Sequence, residues 1–156
     1  MMQKSQKDRS IARMIQISGA TAIAVHGMWM LALADGRAVH VKDIADSLGV
    51  SVNHLAKVFQ RLGKSGLVEA ERGPLGGVRL AKSAGRITLL EIVETIEGPV
   101  EKGSCLFKRG NCALGDCILG KKWERLNNEM RKYFMETTLD KIARGNNKRK
   151  HRPAGL

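Results

Sequence analysis

Apolar positions along the chain set the first frame. Over residues 18–35 alanines and large apolar side chains dominate, with Ile23, Val25, Met28, Leu31 and Ala32 available for packing, and Asp35-Gly36 supplies a stop. This pattern predicts a long helix closed by a turn. A second, short helix is predicted over 42–48, with Ile44, Ala45 and Leu48 facing inward. Gly49 follows, where a left-handed backbone costs a residue without Cβ little. Ser51 is placed to cap a third helix over 52–64, whose Leu55, Val58, Phe59 and Leu62 recur at three- and four-residue spacing. Ala45 lets two helices approach, Gly49 turns the chain and Leu55 fills the angle between them, which is the logic of a helix-turn-helix.

Gly66 ends the third helix, and short strands are predicted over 67–71 and 78–81 around a tip, 72–77, that holds Gly73, Gly76 and Gly77. A helix-turn-helix followed by such a hairpin is a winged helix. Thr88 and Glu91 form a capping box that opens another helix over 89–97, and Gly98-Pro99 ends it. An irregular segment then leads to a last helix over 116–143, where Ile118, Leu119, Trp123, Leu126, Met130, Tyr133, Phe134 and Leu139 keep helical spacing. From 145 onward disorder is expected. The fold class expected is mainly α with a small β-wing: a winged helix-turn-helix plus a long C-terminal helix. Its parts are a basic extension at 1–13, a winged helix-turn-helix domain at 14–99, a cysteine-rich loop at 100–117, a long helix at 118–143 and a basic tail at 144–156.

Composition narrows the class. At 156 residues and 43% hydrophobic, the chain suits one soluble domain with tails, and no run reaches the roughly 18 apolar residues that span a bilayer. The polar start, MMQKSQKDRS, lacks the apolar run of a secretory signal, so a cytoplasmic location with no membrane partner is expected. The net charge is +12, of which +3 lies in residues 1–13 and +6 in residues 141–156. Such ends suit phosphate contacts that add affinity without sequence choice.

The third helix divides by face. Its apolar residues point inward and leave Ser51, Asn53, His54, Lys57, Arg61 and Lys64 for solvent or DNA. Ser, Asn and His in a first turn can hydrogen-bond base edges in a major groove, while Lys57, Arg61 and Lys64 suit phosphates. At the wing, Gly76 and Gly77 are expected to let backbone pass close to DNA, with Arg72 and Arg79 supplying charge. His26 and His40 read as structural or surface residues. No pairing of acid and base groups suggests a substrate pocket, and the glycines of the tip lie in a hairpin, the wrong context for a nucleotide loop. An enzyme is therefore not expected; an iron–sulfur redox protein and a protein-contact module remain the alternatives.

Cys105, Cys112 and Cys117 are the only cysteines, three within 13 positions. A reducing cytosol argues against a structural disulfide. Soft thiolates suit an iron–sulfur cluster or zinc, and the neighbouring Lys102, Lys108, Arg109, Lys121 and Lys122 favour thiolate over thiol. A thiol redox switch is the other reading.

The stretches VKDIADSLGVSVNHLAKVFQRLGKSGLVEAERGPLGGVRLA and ITLLEIVETIEGP resemble the Rrf2 family of bacterial winged-helix transcription regulators, which includes iron–sulfur-assembly, nitric-oxide-sensing and cysteine-metabolism regulators. The resemblance covers 14–99 and, more loosely, the segments beyond, with 1–13 as an extension or Met14 as the start. It implies a homodimer held by the last helix through Trp123, Leu126, Met130, Tyr133 and Phe134, bound to a double-stranded, roughly palindromic operator. It also implies that Cys105, Cys112 and Cys117 hold a 2Fe-2S or 4Fe-4S cluster. Where some members carry a fourth, histidine ligand after the third cysteine, this chain has Ile118-Leu119-Gly120-Lys121. Where others carry an acid in the first helix, it has Thr21, which leaves Asp116, His26 or a small exogenous ligand.

Overall fold

The computed structural model describes residues 17–73, 76–99 and 120–147. Helix α1, Gly19–Leu33, begins at Ser18, whose hydroxyl accepts the Thr21 N–H at 3.2 Å. It is apolar on nearly all sides and packs against α2 (Val41–Leu48), α3 (Val52–Lys64) and two later helices, α4 (Leu89–Glu97) and α6 (Leu139–Asn147). Gly27 has a packing reason: a Cβ there would come within 3.0 Å of the Phe59 ring, so its absence lets α3 close on α1.

The helix pair forms as its sequence dictates. Gly49 takes the left-handed conformation at φ 64°, and the Ser51 hydroxyl accepts the His54 N–H. Val50, just before the cap, packs on the core near the fully buried Leu55, the arrangement of a hydrophobic staple. Ile44, Ala45, Leu55, Val58, Phe59 and Leu62 join Met28, Leu31, Ile87 and Ile92 in one core.

Strands β1 (Val68–Glu71) and β2 (Gly77–Leu80) pair antiparallel, with Val68 opposite Leu80 and Glu71 opposite Gly77. A feature not foreseen is that Val39 bridges Val78 through two backbone hydrogen bonds of 2.9 Å, tying the wing to the loop between α1 and α2. A 3-10 turn, Ala84–Arg86, leads to α4, whose capping box forms as expected between Thr88 and Glu91.

The single helix expected over 116–143 is corrected. Among the described residues there are two helices, α5 (Gly120–Glu136) and α6, separated at Thr137 and Thr138. Thr137 O accepts the Leu89 N–H, and Leu139 N–H donates to Ile87 O, both at 2.8 Å, so the chain crosses α4's entry as a short extended bridge. Backbone pairing there outweighs two more residues of helix, and Leu139 becomes fully buried core. Helix α6 continues to Asn147, so the tail expected to be disordered from 145 is helical for its first residues. No described helix is long and apolar enough to cross a membrane.

Candidate nucleic-acid interface and cysteine segment

Helix α3 carries the expected division. Leu55, Val58, Phe59 and Leu62 are buried, whereas Ser51, Asn53, His54, Lys57, Arg61 and Lys64 are all exposed. The face is polar, positive and anchored from behind by a dry apolar seam, so its side chains project from a rigid rod.

Two of the expected contact residues have partners within the protein. Arg61 donates from Nη2 to the Ile96 carbonyl at 2.7 Å, satisfying an acceptor in the last turn of α4. Arg79 lies opposite Glu69 in the wing and pairs with it at 2.6 Å and with Glu71 at 3.6 Å. Both pairs are half-exposed, so their contribution to stability is small, but they offset the charge of Arg79 within the hairpin. Arg72 is exposed at the base of the tip, and Pro74 and Leu75 lie outside the described residues.

Gly76 and Gly77 have reasons internal to the fold. A Cβ on Gly77 would meet Val39 O at 2.4 Å, and one on Gly76 would meet Glu71 O at the same distance. Gly76 is buried. The missing side chains therefore serve close packing of the wing on itself and on the Val39 bridge, which spacing along a sequence does not reveal.

Cys105, Cys112 and Cys117 lie outside the described residues, as do Asp116 and the basic stretches 1–13 and 148–156. Of the candidate fourth ligands, Thr21 is fully buried and its hydroxyl donates to Glu97 Oε1, which also accepts the Ser18 N–H at 3.1 Å. That hydroxyl is thus held by a carboxylate of its own chain. His26 is exposed, and its Nδ1 lies 2.7 Å from the Ala22 carbonyl. The carbonyl can only accept, which leaves Nε2 as the lone-pair nitrogen of the neutral ring. No metal-binding group of three His, Cys, Asp or Glu side chains occurs among the described residues.

Helix α4 ends where the cysteine-bearing segment begins, and this end is where sequence reading saw least. Arg61 reaches its last turn from α3, and Ser18 and Thr21 reach Glu97 from α1. On α5, Phe134 is buried against Leu90 and Val93 of α4 rather than presented outward, a correction to the sticky face expected for that helix. Tyr133 and Leu126 are 60% and 49% exposed, while Trp123 and Met130 are half-buried.

Comparison with known proteins agrees with this architecture. The Rrf2 family model, described as an iron-dependent transcriptional regulator, matches residues 17–145. The HTH-type transcriptional regulator IscR of Cronobacter sakazakii is 34% identical over 122 residues, covering 77% of this chain and 75% of that protein. IscR of Xenorhabdus nematophila is 33% identical over 107 residues, and there the match spans 68% of this chain and 65% of the relative. Among solved structures, CymR, the global cysteine regulator of B. subtilis, superposes with a TM-score of 0.73 at 25% identity, over 85% of this chain and 98% of its own. T. potens IscR shares the fold with a TM-score of 0.69 at 24% identity, over 88% and 92% of the two chains. The chain belongs to the Rrf2 family of transcriptional regulators.

Proposed function

We propose that the chain is a sequence-specific DNA-binding regulator, acting as a homodimeric repressor rather than as an enzyme, in which α3 enters a major groove. The observation that carries this is the two-faced α3: an apolar face locked into the core and an exposed face of Ser51, Asn53, His54, Lys57 and Lys64. Asn53 and His54 meet base edges from the first turn. Lys57, Lys64 and the tail lysines and arginines meet phosphates. Arg61 serves twice, holding α4 and adding charge beside the backbone. The wing contributes Arg72, with Arg79 beside it. Tyr133 and Leu126, with Trp123 and Met130, form the apolar strip of α5 on which a second copy docks.

Cys105, Cys112 and Cys117 are proposed to hold an iron–sulfur cluster. Three soft thiolates beside Lys102, Lys108, Arg109, Lys121 and Lys122 suit the negative charge of such a group. Bound there, it would supply a redox- and iron-responsive charge at the segment that joins α4 to α5. This chain's own residues carry the response. Arg61 and Glu97 fasten the end of α4 to α3 and α1, so a shift of that end bears on the reading helix. Two heads must match half-sites about one DNA turn apart, which makes small changes of angle costly.

Two measurements test this reading. Anaerobic absorption spectra with iron and sulfide counts should show a coloured, iron-bearing protein; colourless, iron-free protein with titratable thiols would replace the cluster with a thiol or zinc switch. Duplex affinity should fall about a thousandfold between 50 and 200 mM salt if roughly six phosphates are contacted. A flat response would favour a protein-contact module.

A further inference from the structure

Val52 is 42% exposed, the only large hydrophobic residue on α3 among the described residues that the fold leaves in solvent. Among the described residues, neither the cap nor the staple of α3 depends on it. The capping is done by Ser51, and the apolar contact that fixes the entry of the chain is made by Val50, which packs on the core. A β-branched side chain in a first helical turn has no propensity advantage over a polar one. Ala56, also exposed, lies one turn further on the same stripe, since residues four apart are neighbours on a helix surface. Together they make a short apolar notch in an otherwise polar face, flanked by Asn53 and Lys57.

The surroundings decide what fills the notch. Lys57 and Lys64 on the same helix and Arg72 at the wing mark a surface built for an anion, which argues against an apolar protein partner. Duplex DNA presents one apolar group in the major groove, the 5-methyl of thymine, and the same group occurs on 5-methylcytosine. We propose that Val52 and Ala56 form a methyl-reading notch, so that each half-site contains a thymine recognised by its 5-methyl group and 5-methylcytosine is accepted in its place. This inference rests on the DNA-binding reading above and deepens it, by naming a specificity determinant that the sequence pattern alone did not single out.

The test uses full-length protein and an operator selected from random duplexes. Each thymine is replaced singly by deoxyuridine, which removes only the methyl group. At one position per half-site the replacement should weaken binding about fourfold, the worth of one methyl taken out of water. At that position 5-methylcytosine should bind about fourfold better than cytosine. Val52→Ala should bring both ratios close to one while keeping the salt-dependent affinity for random duplex and an unchanged circular dichroism spectrum. Val52→Ser should do the same. Equal binding of thymine and deoxyuridine probes at every position, or ratios unaffected by either substitution, would overturn the notch and leave DNA binding standing. A chain that enriches no duplex and shows no salt dependence would overturn the DNA reading and the notch together.

Discussion

Replacing Gly77 with Ala is a one-methyl perturbation that the geometry makes severe. The added Cβ would sit 2.4 Å from Val39 O and 2.6 Å from Val39 C, against an ordinary contact that begins near 3.4 Å. Backbone, not a flexible side-chain end, must withdraw by about 1 Å, and the two 2.9 Å hydrogen bonds between Val39 and Val78 lie directly in the path. Losing both costs about 2 kcal/mol at a net value near 1 kcal/mol each. Val39 and Val78 are both buried, and partial uncovering adds about 1 kcal/mol more. Opposing this, Ala restricts the unfolded chain and returns about 0.4–1 kcal/mol. The expected net loss is therefore about 2 kcal/mol, seen as a urea midpoint lower by about 1 M for an m-value near 2 kcal/mol/M. Gly85→Ala is the control, because a Cβ there meets nothing within 4 Å. It should be neutral or slightly stabilising. If Gly77→Ala matched or exceeded wild type in urea, the wing would not be pinned to Val39 and the account of its glycines would be wrong.

The remaining expectations concern the end of α4 and the helix caps. Arg61→Ala should lower both DNA affinity and stability, the latter by about 1–2 kcal/mol for a lost charged hydrogen bond to Ile96 O, whereas Lys57→Ala should lower affinity alone; paired thermal melts and binding titrations separate them. Thr21→Val keeps shape but takes a donor from Glu97, and a melt should report a loss of about 1–3 kcal/mol; an unchanged Tm would mean the buried bond contributes nothing. Burial raises the pKa of Glu91, but hydrogen bonds from Lys82 and from the Thr88 backbone and hydroxyl, with the charge of Lys82, outweigh it and hold the carboxyl below 4.5. Its stabilising effect should thus be full at neutral pH and fade as pH falls below the ordinary glutamate value through the lower folded one. The Tm gap between wild type and Glu91→Gln should narrow over that window; a gap independent of pH would remove the charge from the explanation.

What the sequence made legible was local. The period of Leu55, Val58, Phe59 and Leu62, the turn at Gly49, the Ser51 cap and the box of Thr88 and Glu91 depend on residues within one or two turns of each other, and all form. What it hid was set by distant partners. The single helix expected there would run on across the five-residue step from Phe134 to Leu139, yet it breaks because residues 137–139 pair with residues 87–89 across the fold. Gly77 looked like a position for approaching DNA because its neighbour in space, Val39, is far away in sequence. Arg61 and Arg79 looked equivalent to Lys57 until their partners, Ile96 and Glu69, came into view. For the cysteine-bearing segment, residue chemistry and family resemblance carry the reading, since Cys105, Cys112 and Cys117 lie outside the described residues.

The most direct test of the central claim is methylation protection at guanine N7 on the selected operator, since that atom lies in the major groove. Helix α3 seated as proposed in each protomer should shield N7 in two patches whose centres are about one helical turn apart, and Lys57→Ala should weaken both patches equally. Bound protein that left every N7 accessible would place α3 outside the major groove and contradict the account.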